Sequence, residues 1–172
     1  MLNLKDYIRN IPDFPKPGII FRDITTALKN PEVFHHIIDE IYLNFKDENI
    51  DYVAAIESRG YLLGAPVAYK LNAGLVIIRK PGKLPSKVEH IEYQLEYGTD
   101  SLEIHQDAIE AGKRVLVIDD LLATGGTIGA ACKLIEKIGG IIAGTAFLIE
   151  LDSLKGRNYL PQSAKNVALL HY

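Results

Sequence analysis

Apolar positions along the chain recur with two different spacings, and the two alternate. Val33, Phe34, Ile37, Ile38, Ile41 and Phe45 follow a helical stripe, and Asn30-Pro31 ahead of them supplies an N-cap and a favourable first helical residue. Continuous apolar runs at 52–56, 75–78, 115–118, 141–150 and 167–170 read instead as strands, with 75–78 and 115–118 buried. Between strands the helical spacing returns at 61–71, blemished by Pro66, and at Ile128, Ala131, Leu134, Ile135 and Ile138, where Gly139-Gly140 ends it. Strands alternating with helices predict an α/β fold, a mostly parallel central sheet flanked by helices.

The remaining segments are less regular. Residues 2–11 predict a short helix stopped before Pro12. The stretch IPDFPKPGIIFRD carries three prolines and a glycine, too stiff for a helix and too broken for a central strand. Its bulky Phe14, Ile19, Ile20 and Phe21 suggest a cover packed onto the fold, the alternative being a plain connecting arm. Tyr93, Leu95 and Tyr97 alternate with Gln94 and Glu96, as in a strand or extended flap ending at Gly98, and residues 102–109 return from it.

Composition narrows the picture. A length of 172 residues suits one domain, 1–172. With 48% hydrophobic and 24% charged residues the chain reads as an ordinary globular protein, and a net charge of -3 gives no reason to expect a nucleic-acid partner. A single cysteine, Cys132, excludes an internal disulfide and a cysteine metal cluster, and its place on an apolar helix face reads as a buried structural thiol. His35 and His36 read as surface or boundary residues of their helix, and His105 carries no functional signal. No stretch has the pattern of a secretory signal or a membrane span, so the expected location is the cytoplasm, with no membrane partner.

The chemistry gathers in RVLVIDDLLATGGT, residues 114–127. An apolar strand is followed at its carboxyl end by Asp119 and Asp120, then by Ala123, Thr124, Gly125, Gly126 and Thr127 at the start of a helix. The first turn of a helix has unpaired N–H groups and partial positive charge, glycines let backbone approach an anion, and threonines add hydroxyl donors, so this bend suits a phosphate. The aspartates would repel a phosphate; their natural partners are sugar hydroxyls or a hydrated Mg2+. A ligand with a 5-phosphate and a free 2,3-diol suits both halves, whereas a tight turn with an N-cap threonine is the structural alternative. Parallel strands place their carboxyl-end turns along one edge, so Glu57, Ser58, Arg59 and Gly60 should face the same crevice, where Arg59 is suited to clamp a diphosphate, the alternative being a plain surface arginine. After the strand at 75–78 come Arg79, Lys80, Lys83 and Lys87 in a Gly- and Pro-rich loop. Such a loop should be mobile, and is either simply solvated or, given its place on the crevice edge, an anion contact.

VLVIDDLLATGGT resembles the phosphoribosyl diphosphate signature of the type I phosphoribosyltransferase family, in its adenine-using branch. FPKPGIIFRDIT, ESRGYLLG, IRKPGKLP, YQLEYG and DSLKGR resemble the same branch in order and spacing, and together they cover most of the chain. The resemblance implies the family fold with an N-terminal hood over about residues 1–30 and a flexible basic loop and catalytic flap over about 79–98. It implies transfer of the 5-phosphoribosyl group from 5-phosphoribosyl 1-diphosphate to adenine, giving AMP, with Mg2+ as cofactor and a homodimer as the assembly. It further implies that Ile20 and Arg22 meet the base, largely through backbone groups, with Leu154 on the base's other face. Arg59, Arg79, Lys80 and Lys83 would reach the diphosphate, Asp119 and Asp120 the ribose or the metal's waters, and residues 123–127 the 5-phosphate. Glu96 would approach the purine imidazole edge, with Tyr97 beside it. No direct protein ligand to Mg2+ is implied; diphosphate, ribose hydroxyls and water would hold it. A cis Glu57-Ser58 peptide is also expected from the family. Two rivals stand beside this reading: a phosphoribosyltransferase for hypoxanthine, xanthine or orotate, and a regulator that binds phosphoribosyl diphosphate without catalysis.

Overall fold

A five-stranded sheet in the order β4-β3-β7-β8-β9, parallel throughout, forms the centre of the protein. Its strands are β3 (Tyr52–Ile56), β4 (Gly74–Ile78), β7 (Arg114–Leu122), β8 (Ile141–Glu150) and β9 (Lys165–His171). The computed structural model describes residues 2–94 and 98–172. Two antiparallel hairpins lie outside the sheet, β1 (Arg9–Pro12) with β2 (Ile20–Asp23), and β5 (Val88–Gln94) with β6 (Thr99–His105).

The helices are α1 (Thr25–Leu28), α2 (Pro31–Phe45), α3 (Gly60–Leu71) and α4 (Gly126–Lys137). Asn30 caps α2, its Oδ1 accepting from the Glu32 and Val33 amides, and Val33, Ile37, Ile38, Ile41 and Phe45 are buried as the stripe requires. One core cluster joins α2 and α3 to the sheet through Ile37, Ile41, Phe45, Leu63 and Leu148; a second joins α4 and the β5–β6 hairpin to it through Leu134, Ile135, Leu102 and Ile104. Cys132 is buried in the second, and burial pushes its thiol up to about 12, as befits a structural group. Among the described residues no helix is long and apolar enough to cross a membrane.

Four expectations change. Residues 2–11 are not one helix: a 3-10 turn at Leu4–Tyr7 leads into β1, because pairing of Arg9 with Asp23 and Ile11 with Phe21 satisfies the backbone across the hairpin instead. The proline-rich stretch ends in β2, and Phe14, Ile19 and Ile20 stand exposed rather than packed down. Strand β4 is the sheet's edge, so Val76 and Ile78 are buried while Leu75 and Ile77 face out. Finally β7 runs four residues beyond its apolar run, because Asp119, Leu121 and Leu122 still pair with Phe147, Ile149 and Glu150 of β8.

Strand order explains where ligands can sit. From β3 the chain crosses through α3 to β4 on one side, and from β7 it crosses through α4 to β8 on the other. The neighbours β3 and β7 therefore diverge at their carboxyl ends, a switch point that opens a crevice beyond the strands.

Candidate active site

A cavity of about 460 Å3 lies at that switch point. Glu57, Ser58 and Arg59 line it from the turn after β3, Asp119 and Asp120 from β7, and Ala123, Thr124, Gly125 and Thr127 from the bend into α4, with Lys80 on its rim. Sequence spacing thus brings the acidic pair, the glycine bend and Arg59 together. Gly126 lines a neighbouring pocket instead, and Arg79, Lys83, Ile20, Arg22 and Leu154 are not among the residues lining the cavity.

The bend is shaped by close backbone packing. Gly125 sits at φ 87°, and a Cβ there would lie 2.4 Å from the Gly156 carbonyl oxygen, so the turn after β8 seats directly on the bend. Helix α4 begins without a side-chain cap, leaving its first amides without a capping hydroxyl or carboxylate. Gly60 is equally constrained: a Cβ would meet Ile118 O at 2.9 Å and Asp119 Oδ1 at 3.1 Å, so glycine lets the start of α3 press against the acidic end of β7. The Glu57-Ser58 peptide is cis, as expected, and Phe14-Pro15 is cis as well.

Arg59 is the hub of the charge arrangement. Its Nε lies 2.8 Å from Asp120 Oδ2, and its guanidinium carbon is 5.2 Å from the centre of the Phe21 ring, which links the hood strand β2 to the acidic pair. Burial pushes the Asp119 carboxyl well up, and the neighbouring Asp120 charge adds to it. Asp120 is also raised by burial, although Arg59 opposes the rise. A carboxylate pair held this way gains from any ligand that donates hydrogen bonds to its charged form.

The basic loop is tied to its surroundings by groups that local pattern did not single out. Glu57 accepts from Arg79 Nε at 3.0 Å, from the Lys80 amide at 3.0 Å and from Lys83 Nζ at 2.6 Å. Burial alone would raise the Glu57 carboxyl, but the bonds from Lys83, the Lys80 amide and Arg79 outweigh it and hold it at about 2. Lys80 Nζ pairs with Asp100 of β6, and Arg79 is bridged to Glu103 through both backbone groups, at 2.8 and 2.9 Å. Tyr93 on β5 bonds Thr127 Oγ1 at 3.2 Å and donates to Asp100 Oδ2 at 3.3 Å, so the hairpin rests on the glycine bend. Glu57 was expected at the crevice but not as the anchor of the basic loop, and Asp100 was missed, because their cationic partners lie 20 or more residues away; only the high density of cations in 79–87 hinted that acids must be near. Glu96 and Tyr97 lie outside the described residues.

Arg157, in the 3-10 turn Gly156–Tyr159, grips the buried Glu150 with Nε at 2.8 and 2.9 Å from its two oxygens and Nη2 at 2.7 Å, which ties that turn to the end of β8. Glu150, Asp152 and His171 also bring ligand atoms within 4.8 Å of one another, but Glu150 is already neutralised by Arg157.

Comparison with known proteins agrees with this geometry. Residues 24–169 match the family model described as the phosphoribosyl transferase domain. The adenine phosphoribosyltransferase of Acaryochloris marina is 56% identical over 171 residues, covering 99% of this chain and 100% of the relative. The crystal structure of adenine phosphoribosyltransferase from Thermoanaerobacter pseudethanolicus superposes with a TM-score of 0.94 at 50% identity, covering 98% of each chain. The Saccharomyces cerevisiae enzyme, complexed with D-2,5-dideoxy-2,5-imino-altritol 1,6-bisphosphate and adenine, superposes with a TM-score of 0.92 at 40% identity, covering 97% of this chain and 96% of that one. On its fold, its crevice and these similarities, the chain belongs to the phosphoribosyl transferase domain family, alongside the adenine phosphoribosyltransferases.

Proposed function

We propose that this chain transfers the 5-phosphoribosyl group of 5-phosphoribosyl 1-diphosphate to adenine, giving AMP and diphosphate, a reaction of purine salvage. One observation supports it most: Arg59, the acidic pair and the glycine bend line a single cavity at the sheet's switch point. In the reaction the bond from the anomeric carbon to the diphosphate oxygen breaks as the bond to adenine N9 forms, and the N9 proton leaves. Cleavage runs ahead of attack, so the ribose gains cationic character and the leaving diphosphate gains charge.

Each residue set answers one of those needs. The amides and hydroxyls of residues 123–127 hold the 5-phosphate. Asp119 and Asp120 accept hydrogen bonds from the ribose hydroxyls, and their charge favours the cationic sugar. Arg59, Arg79, Lys80 and Lys83 face the diphosphate charge. Ile20, Arg22 and Leu154 bound the base, and Glu96 manages the proton on its imidazole side. The hairpin of β5 and β6, already seated on the bend through Tyr93 and Thr127, excludes water that would hydrolyse the sugar.

Mg2+ would fit this site as a metal held by substrate: Asp119 and Asp120 line the cavity and would accept hydrogen bonds from its bound water, with no protein group assigned as a direct ligand. When bound, it neutralises the diphosphate as it leaves. We assign the protein to the cytoplasm and to a homodimer. Product analysis with phosphoribosyl diphosphate and a panel of adenine, hypoxanthine, xanthine and orotate, with and without Mg2+, tests the reading. AMP from adenine alone is expected, and a different preferred base would overturn it. Full turnover by Glu96→Gln, with chemistry rate-limiting, would remove Glu96 from proton transfer.

A further inference from the structure

The two segments assigned to the base come from opposite ends of the chain, and one residue touches both. Tyr172 lies with its ring against Arg22 of β2, the guanidinium carbon 4.0 Å from the ring centre. Its backbone N–H donates to Glu150 O at 3.0 Å, and its carbonyl accepts from the Asp152 amide at 2.9 Å. Those two bonds extend the β8–β9 ladder into the 3-10 turn Asp152–Leu154, which presents Leu154. On the other side, alternation along a strand puts Ile20 and Arg22 on the same face of β2, so whatever fixes Arg22 fixes that face.

The contact with Arg22 is a specific one. Arg22 Nη1 donates to Asn10 Oδ1 at 2.5 Å, while Arg22 Nε is buried with no hydrogen-bond partner among the described residues. A buried N–H without an acceptor is tolerated when an aromatic face supplies the negative potential, and the Tyr172 ring is placed to do so. The ring also packs against the core cluster that joins α2 and α3 to the sheet, which ties it to the body of the fold.

From this we infer that Tyr172 is a positioning residue for the base: its ring holds the hood face that carries Ile20 and Arg22, and its backbone holds the turn that carries Leu154. The inference rests on the adenine-transfer reading above. The groups assigned to phosphoribosyl diphosphate sit on other elements, the turn after β3, the bend after β7 and the basic loop. Loss of the ring should therefore weaken use of adenine and leave use of phosphoribosyl diphosphate alone.

The test is steady-state kinetics on Tyr172→Phe and Tyr172→Leu, each substrate varied in turn, with melting temperatures recorded alongside. Tyr172→Leu is expected to raise KM for adenine about tenfold, the scale of a desolvated cation–aromatic contact. KM for phosphoribosyl diphosphate should stay within about twofold, and Tyr172→Phe should behave as wild type because ring and backbone are both kept. Arg22→Met removes the contact from the other side and should give the same split, with the double variant no worse than Arg22→Met alone; this arm decides the matter if Tyr172→Leu fails to fold. An unchanged adenine KM in Arg22→Met or Tyr172→Leu overturns the inference, as does a parallel rise of both KM values with a fallen melting temperature. Wild-type protein that makes no AMP would instead strike the activity itself.

Discussion

Replacing Glu57 with glutamine should cost stability in a way that depends on pH, and the structure fixes both the sign and the scale. The Glu57 carboxyl falls from 4.5 to about 2 in the folded protein. At about 1.4 kcal/mol per unit, that difference sets a ceiling of roughly 3 kcal/mol. Two of the partners are partly solvated, the Lys83 side chain being 49% exposed and that of Arg79 31%, so screening brings the expected contribution to about 1–2 kcal/mol. A carboxyl whose folded pKa is depressed stabilises the fold above its unfolded pKa and loses that contribution as pH falls through the folded value. The wild-type advantage over Glu57→Gln should be complete at pH 7, begin to shrink near pH 5, and be more than half gone by about pH 3. Urea unfolding of both proteins at pH 7, 5, 4 and 3 measures it. A gap that is absent at pH 7, or one that stays constant down to pH 3, would refute the argument that ionised Glu57 anchors the basic loop.

Three further predictions follow from other parts of the site. Arg157→Ala leaves the buried Glu150 carboxylate, only 3% exposed, without its main partner, and should cost about 3–5 kcal/mol in chemical denaturation. Gly125→Ala combines a left-handed backbone with a Cβ 2.4 Å from a carbonyl oxygen, and should destabilise by about 2–4 kcal/mol while weakening phosphoribosyl diphosphate binding, read by denaturation and by titration calorimetry. Asp119→Asn, alone and with Asp120→Asn, should weaken phosphoribosyl diphosphate binding far more than adenine binding. Because the folded Asp119 pKa is raised, its favourable contribution is present at low pH and lost as pH rises through that folded value. Asp119→Asn should thus melt no lower than wild type at pH 7.5, and a clear drop in melting temperature there would count against a strained acidic pair.

What could be read along the chain was what neighbouring residues decide together. The helix over Pro31–Phe45 announces itself through Asn30 and its apolar stripe, and the bend from β7 to α4 through an apolar run, two acids and two glycines in immediate succession. What could not be read depends on distant partners. An apolar run such as 75–78 looks the same in the middle of a sheet and at its edge, and only strand order reveals that Leu75 and Ile77 face out. The acids of β7 look like a terminus, yet β8 continues the ladder past them. The pairs Glu57–Lys83, Lys80–Asp100 and Arg22–Tyr172 span 20 to 150 residues, beyond any local pattern.

Those distant pairs change how the site must work. Each cation assigned to the diphosphate already has a carboxylate partner: Arg59 has Asp120, Arg79 and Lys83 share Glu57, and Lys80 has Asp100. Two of these cations, Arg59 and Lys80, line the cavity while Arg79 and Lys83 belong to the basic loop beside Glu57, and the paired acids offset the mutual repulsion of the cluster before substrate arrives. On the proposed reading, substrate binding is an exchange of partners, and its free energy is the difference between diphosphate and carboxylate as a mate for the same cations. Arg59 illustrates the consequence most directly. As long as it serves Asp120 it steadies a buried charge, and on the proposed reading a diphosphate that draws it away would leave the ribose hydroxyls to take over as donors to that carboxylate. The two ends of the substrate thereby depend on each other: a ligand with diphosphate but no ribose diol strips Asp120 of its partner, and one with the diol but no diphosphate leaves the cations bound to their acids.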